Sequence, residues 1–481
     1  MSVVIAPNSA LAPSHAPLRR VIPWRAHLVG IAGAGMQSLA RLLHQRGCRV
    51  TGSDAAVRGH DWLARAGVRV ERGHAAGHLP RHVDTVIYSS AVDCDGPELF
   101  EARRRGIPQH CYAAMLGRLM QQAHGVAIAG THGKSTTAAM TARVLEVAGL
   151  DPSAVVGACS LDGVPVARAG DGRHLVVEAC EYRANFLHLT PQIAAILNID
   201  DDHFDCFRSA DELDAAFAQF ARRMPAEGLL VTSGDCTRAL RAAAKARCTV
   251  ETFGTGIDNR WRAVNLRTLG GRAAFEVLCD GKPWGEVQLR VLGRHQALNA
   301  LAAIALATAA GARREAIIAG LETFAGLRRR LELLGTHAGV TVVDDYAHHP
   351  TEITAALAAV REAFPQRPLC CIFQPHQFSR TAKLFHAFAD SLTAVDRLAV
   401  ADIYRAREPE PRPGDVSARE LAVCIARRGT DVLQVHAPND ILEQVYAAAV
   451  PGDVIVTLGA GDLGKVAHGL VDRLRTHRSP G

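Results

Sequence analysis

From Gly125 to Thr137 the chain reads Gly-Val-Ala-Ile-Ala-Gly-Thr-His-Gly-Lys-Ser-Thr-Thr, an apolar run delivered into two glycines, a lysine and hydroxyl side chains. Residues of these types in this order hold a nucleotide triphosphate. Gly130 and Gly133 allow a tight turn whose backbone N–H groups face phosphate oxygens, Lys134 brings positive charge to the outer phosphates, and Ser135 offers a hydroxyl to Mg2+. The first glycine of the usual G-x-x-x-x-G-K-[ST] pattern would fall at Ile128, so this turn is tighter than the standard phosphate loop. Lysine is scarce: five lysines stand against 49 arginines among the 54 basic residues, and one of the five sits between His-Gly and Ser-Thr-Thr. A helix is expected from Ser135 to Gly149, with Pro152 beyond its end.

Two acidic clusters follow. The run Leu175-Val-Val-Glu178 continues into Ala179-Cys180-Glu181, and Ala194-Ala-Ile-Leu-Asn-Ile-Asp-Asp-Asp-His203 ends in Asn198, three aspartates and a histidine. Carboxylates at the ends of parallel strands can hold Mg2+ or its waters, and a neutral His203 could complete the set or meet a substrate. The same residues would also serve as a solvated loop before a helix near Asp211. Farther on, Leu292-Gly-Arg-His-Gln-Ala-Leu-Asn299 precedes an Ala/Leu/Ile helix running to Gly311, where His295 and Asn299 suit capping and packing as well as ligand contact.

These groups need elements to position them. The chain opens with Ala26-His-Leu-Val-Gly-Ile-Ala-Gly-Ala-Gly-Met36, a strand leading into Gly30, Gly33 and Gly35, and a second strand places Asp54 where a ribose hydroxyl would sit. Ser38 occupies the last position of the glycine fingerprint, so the loop departs from G-x-G-x-x-G. A strand at residues 85–92, with Ser89 and Ser90, and helices near 98–105 and 113–121 complete a first α/β unit. The final region alternates strands near 340–344, 369–373, 398–403, 432–435 and 454–458 with helices, one carrying the capping box Ser417-Ala-Arg-Glu420. Its strand exits Val343-Asp-Asp-Tyr-Ala-His-His-Pro350 and Phe373-Gln-Pro-His-Gln-Phe-Ser-Arg-Thr381 suggest a pocket for an anionic substrate, lined by His348, His376 and Arg380.

A length of 481 residues with 48% apolar content calls for two or three domains. The net charge of +6 is spread along the chain without interleaved aromatics, which argues against nucleic acid as a partner. Twelve scattered cysteines, none in a C-x-x-C pair, fit a reduced cytoplasm, and no stretch approaches the roughly 20 apolar residues of a membrane span. A soluble intracellular protein with a mobile N-terminal segment is expected.

Taken in order, Gly-Thr-His-Gly-Lys-Ser-Thr-Thr at 130–137, Asn-Ile-Asp-Asp-Asp-His at 198–203, Gly-Arg-His-Gln-Ala-Leu-Asn at 293–299 and Asp-Asp-Tyr-Ala-His-His-Pro-Thr-Glu at 344–352 resemble the Mur ligases of peptidoglycan synthesis. Within that family, Gly30–Met36, Phe-Gln-Pro-His at 373–376 and Gly-Ala-Gly-Asp-Leu-Gly at 459–464 look like the branch that adds L-alanine to UDP-N-acetylmuramate. The absence of lysine from residues 204–244 suits that branch, because sibling ligases use a carbamoylated lysine there.

The resemblance implies an α/β fold in three domains after an N-terminal segment of residues 1–24: a Rossmann-like UDP-sugar domain (25–122), a central P-loop ATPase domain with a parallel sheet (123–333) and a Rossmann-like C-terminal domain (334–481). It implies ATP and Mg2+ as cofactors, UDP-N-acetylmuramate and L-alanine as substrates, and a monomer or homodimer. Carried over by motif, Gly130, Thr131, His132, Gly133, Lys134, Ser135 and Thr136 cradle ATP. Ser135, Glu178 and His203 hold the metal. His295, Asn299, Arg330 and Asp345 serve the nucleotide, and His348, His376 and Arg380 position the muramate carboxylate or the alanine. Gly30, Gly33, Ala34, Gly35, Met36, Asp54, Ser89 and Ser90 line the UDP-sugar site. Lys134, Glu178, His203, Arg330, His348 and Arg380 would carry catalysis. Three positions depart from the family's usual residues: Cys180 for aspartate, Gln296 for asparagine and Gln377 for arginine. A ligase of the same fold that attaches a preformed tripeptide, and a non-catalytic or redox dinucleotide-binding protein, remain open alternatives.

Overall fold

A computed structural model of the chain describes residues 24–55, 61–406, 408–412, 414–436 and 438–476; the expected N-terminal segment, apart from Trp24, lies outside them. In the first of three sheets, β1 (Arg25–Val29), β2 (Arg49–Asp54), β3 (Arg69–Arg72), β4 (Thr85–Tyr88) and β5 (Gln109–Cys111) stand in the order β3-β2-β1-β4-β5. All neighbours are parallel. The order reverses between β1 and β4, which is where an open parallel sheet leaves a crevice for a ligand. Gly30 leaves β1 and Ser89 leaves β4 at that crevice. Gly30 has φ +79°, and a Cβ there would stand 2.9 Å from the Cβ of Ser89, so only glycine lets the two strand exits come this close.

The second sheet holds β6 (His124–Ala129), β7 (Ser153–Cys159), β8 (Pro165–Arg168), β9 (His174–Glu178), β10 (Ile193–Ile196), β11 (Leu229–Ser233), β12 (Thr249–Gly254), β13 (Trp261–Leu269), β14 (Arg272–Cys279) and β15 (Lys282–Leu292). Its order is β15-β14-β13-β12-β11-β10-β6-β9-β7-β8. β6 lies between β9 and β10 and is parallel to both, so one strand exit carries the phosphate loop and its two neighbours carry Glu178 and Asn198. Buried on both faces, these strands read as continuous Val/Ile/Ala/Leu runs rather than alternating ones. The helix Lys134–Val147 starts directly after Gly133, whose φ of +82° no β-carbon would tolerate cheaply, and it ends before Gly149 as its sequence predicts. β13, β14 and β15 form an antiparallel extension.

The third sheet comprises β16 (Glu332–His337), β17 (Val340–Asp345), β18 (Leu369–Phe373), β19 (Arg397–Ala401), β20 (Asp431–His436) and β21 (Val454–Leu458), in the order β16-β17-β21-β18-β19-β20. Only β16 runs antiparallel to its neighbour. The expected capping box is present at Ser417 and Glu420.

The helix Ala34–Gln45 that follows β1 packs against β7 and β8 of the second sheet. Ser38, fully buried, donates to the carbonyl of Val156 at 2.6 Å, and Arg41 Nη1 donates to the carbonyl of Pro165 at 2.7 Å. Among the described residues no helix is long and apolar enough to cross a membrane.

Candidate active site

The phosphate loop is braced by the strand beside it. Asn198 Oδ1 accepts the backbone N–H of His132 at 2.8 Å, its Nδ2 donates to the His132 carbonyl at 3.1 Å, and Thr131 Oγ1 accepts from the Asp200 amide at 2.9 Å. Lys134 Nζ donates to the carbonyl of Thr131 and to Glu181 Oε1, both at 2.9 Å, and also to the carbonyl of Gly130. Burial works against its charge, but Glu181, Cys180 and Glu178 outweigh it and hold the lysine above its usual pKa. Lys134 therefore stays a cation, folded back onto carbonyls that phosphate oxygens could replace. Thr136 is buried behind the turn.

Glu178 and Glu181 divide the neighbouring cations and donors between them. Ser135 Oγ donates to Glu178 Oε2 at 3.0 Å, as does the Gly157 amide. Glu181 Oε1 faces both Lys134 and His203 Nε2, the latter at 3.1 Å. Burial raises the Glu181 pKa, yet Lys134 and His203 bring it below the ordinary carboxylate value. Its other oxygen, Oε2, is buried and accepts no hydrogen bond. An orphaned carboxylate oxygen beside a hydroxyl, a second carboxylate and an imidazole is a donor set that fits a hard divalent cation.

The structure explains the Gln296 departure. Burial lowers the His295 pKa to about 4, so its ring is neutral. His295 Nε2 stands 3.1 Å from the Gln296 amide, and Gln296 Oε1 accepts from Asn299 Nδ2 at 2.8 Å. The longer amide links His295 to Asn299, whose Oδ1 would lie 2.4 Å from a Cβ at Gly133. Across from it, Arg330 lies over the Tyr346 ring at 5.1 Å. The two oxygens of Asp345 accept the amides of Leu331 at 2.6 Å and Ala347 at 2.7 Å, and burial raises its pKa to about 6. It shapes the chain crossing into the third sheet.

The residues of the expected anion pocket of the final region are paired with one another and with the acidic loop. Arg380, 2% exposed, is paired with Asp202, 7% exposed, through Nε at 2.9 Å, and its Nη1 donates to His376 Nδ1 at 2.8 Å. Asp202 matches its charge, and the pair joins β18's exit to the acidic loop. Gln377, at φ +69°, turns the chain ahead of this arginine. His348 Nδ1 lies 3.2 Å from Glu352 Oε2, and the His348 and His376 rings meet edge to face at 5.5 Å.

In the first sheet, Asp54 Oδ2 accepts the Ala32 amide at 2.8 Å and fixes the glycine loop around Gly33, Ala34 and Gly35. Met36 turns into the core at 3% exposure, so only its backbone can line a crevice. Ser89 and Ser90 reach the same crevice, where the carbonyl of Ser90 accepts from Arg183 of the second sheet's region at 3.0 Å.

Residues that the sequence places in acidic or histidine-rich strings, without partners, do much of the positioning: Glu181 and Asn198 around the lysine, and Asp200, Asp202, His349 and Glu352 between the second and third sheets. His132 Nδ1 meets Glu352 Oε1 at 3.0 Å and its Nε2 meets Asp200 Oδ2 at 3.2 Å. Burial opposes the charge on His132, but these two carboxylates raise its pKa to about 9. The signal was present in the Asp-Asp-Asp-His and His-His-Pro-Thr-Glu strings; what local spacing lacks is the pairing across some 150 to 220 positions of chain.

Three family models match the chain: "Mur ligase family, catalytic domain" over residues 25–124, "Mur ligase middle domain" over 128–307 and "Mur ligase, glutamate ligase domain" over 329–461. The UDP-N-acetylmuramate--L-alanine ligase of Clostridium acetobutylicum is 39% identical over 456 residues, 93% of this chain and 98% of that protein. That of Nitratidesulfovibrio vulgaris is 41% identical over 442 residues, 91% and 96% of the two chains. Among solved structures, the UDP-N-acetylmuramate-alanine ligase of Thermotoga maritima superposes with a TM-score of 0.80 at 26% identity, covering 93% of this chain and 98% of that one. A murein peptide ligase from Psychrobacter arcticus gives 0.70 at 26% identity, with 95% and 100% covered.

Proposed function

The chain belongs to the Mur ligase family, and from that membership we infer that it is an ATP-dependent ligase that joins L-alanine to UDP-N-acetylmuramate in peptidoglycan precursor synthesis. The observation that carries this reading is a phosphate loop whose lysine is held against the Glu181 carboxylate, in a chain that matches alanine-adding relatives over 93% of its length.

A carboxylate is a poor electrophile, and an amine will not displace its oxygen at a useful rate. In our reading the lactyl carboxylate oxygen bonds to the γ-phosphorus of ATP as the bond to the β-phosphate oxygen breaks, which gives an acyl phosphate and ADP. The alanine amine, having lost its proton, then attacks the acyl carbon, and inorganic phosphate leaves. Lys134 exchanges its contacts with the Gly130 and Thr131 carbonyls for phosphate oxygens and balances the charge that moves. Ser135, Glu178 and His203, with Glu181 behind His203, would hold Mg2+, which when bound supplies charge neutralisation at the transferring phosphate. His295 and Asn299, linked by Gln296, support the nucleotide side of the loop, and Arg330 approaches from the start of the third sheet. Gly30, Asp54, Ser89 and Ser90 surround the UDP-sugar crevice, and His348 with His376 faces the incoming amino acid. We assign the three sheets to domains of residues 25–122, 123–333 and 334–481, and a monomer or homodimer as the working unit.

The test is phosphate release from ATP with UDP-N-acetylmuramate and Mg2+, with L-alanine, with the tripeptide, or with neither. Release that requires L-alanine and yields the amide is expected; release only with tripeptide would replace this reading with a recycling ligase. Lys134→Ala should lower turnover by at least about 1,000-fold while UDP-sugar binding, followed by calorimetry, stays within a few-fold.

A further inference from the structure

His132 lies in the phosphate loop, Asp200 follows β10, and His349 precedes the helix Pro350–Ala363 of the third sheet's region. Their ligating atoms all lie within 4.8 Å of one another. Asp200 Oδ2 is 3.2 Å from His132 Nε2 and 3.7 Å from His349 Nδ1, close to the roughly 3.3 Å edge of a tetrahedron with metal–ligand bonds of about 2.0 Å.

The outer face of each ring is held as metal-bound imidazoles usually are. His132 Nδ1 meets the Glu352 carboxylate at 3.0 Å, and His349 Nε2 meets the carbonyl of Asp201 at 3.1 Å. The second contact puts the proton of His349 on Nε2, so the lone pair of Nδ1, 3.7 Å from Asp200 Oδ2, accepts the Thr351 amide at 3.3 Å as the N-cap of the helix Pro350–Ala363, a bond that a metal would replace. His349 is buried while Asp200 is about one-third exposed, so a ligand could enter from one side.

We propose that His132, Asp200 and His349 form a binding site for a divalent transition metal of the zinc type, separate from the Ser135, Glu178 and His203 set and bridging the second and third sheets. Two imidazoles and one carboxylate favour Zn2+ or Co2+ over Mg2+, which prefers an all-oxygen shell. Three protein ligands leave a fourth position for water. Binding displaces the proton from His132 Nε2, so affinity rises with pH and each metal bound releases a proton. A metal held there would pin the two regions together, because its ligands come from both.

Co2+ reports such a site through its visible absorption, which is intense only in near-tetrahedral coordination. The full chain, free of nucleotide, is titrated with Co2+ in a Glu178→Gln background that weakens the other acidic set. One equivalent should produce the absorption and Zn2+ should abolish it. His349→Gln and Asp200→Asn, each checked for native circular dichroism, should bind at least tenfold more weakly. Absorption that survives both substitutions, or that never develops, overturns the proposal. Absorption present in the wild type but lost in Glu178→Gln alone also overturns it, by placing the metal among the other carboxylates.

Discussion

On one side of the central sheet, the helix Ala34–Gln45 lies on β7 and β8, and Ser38, Arg41 and Arg46 each donate to a backbone carbonyl of the second sheet's region. On the other side, the third sheet's region meets the same sheet through His132, Asp200, Glu352, His349 and the Asp202–Arg380 pair. The first seam rests on carbonyl acceptors and a packed helix, with the exposed Asp171 paired to Arg46 at its rim; the second is built of imidazoles and carboxylates. A joint made with carbonyls keeps its strength as proton concentration changes, whereas one made with ionisable groups depends on conditions and on whatever charged ligand arrives. The phosphate loop stands at the second joint, so a polyphosphate with its cation would enter the charge balance that holds it.

The largest effect on this contrast should come from Arg380→Ala, which strands the buried Asp202 carboxylate. Loss of one partner of a buried pair costs about 3–5 kcal/mol, so urea unfolding should show the third sheet's region melting earlier by that amount. A change below about 1 kcal/mol would mean the pair is effectively solvated.

Next comes pH. Asp200, Asp202 and Glu352 have folded pKa values below the ordinary carboxylate range, because their cationic partners overcome burial. Their contribution is present above about pH 4 and is lost as pH falls through the depressed values. His132 has the opposite sign: raised to about 9, it contributes fully below about pH 6.5 and ceases to contribute as pH rises through 9. The His132 contribution should fade above about pH 6.5, with the radius of gyration from X-ray scattering growing toward pH 9, while His349, whose pKa burial lowers, withdraws stability as pH falls below about 6.5. His132→Gln should flatten that alkaline rise, and an unchanged profile would assign it to other groups.

Ser38→Ala should cost less, about 1–2 kcal/mol for one buried hydrogen bond, and equally at every pH from 6 to 9. A pH-dependent loss would erase the distinction between the seams. Smallest of all, Asp171→Ala removes the 88% exposed partner of Arg46 and should shift stability by less than about 0.5 kcal/mol in thermal unfolding.

Strand exits were the most legible feature in the sequence, since an apolar run ending in glycine or acid marks both a strand and its functional end. The β6, β9 and β10 runs show this, as do β17, β19 and β21 of the third sheet. The strands between residues 229 and 292 are not expected from the sequence, yet Gly270-Gly271 and Asp280-Gly281 separate β13, β14 and β15 as hairpin turns would. Ser38 reads locally as a defect in a glycine fingerprint; its purpose lies 118 residues away, at Val156. The partner of Arg380 is equally invisible locally, since Asp202 lies 178 residues away.

β21, the last strand in the sequence, pairs with both β17 and β18 and so joins the two halves of the third sheet. A ribosome delivers it after every other strand. Until Val454 emerges, β17 and β18 each present an open edge, and such edges attract other chains or chaperones. The first two sheets can be complete while the third still waits for its middle. Chains cut short just before residue 454 should therefore fail as aggregating, half-assembled sheets, although every catalytic motif has already been translated.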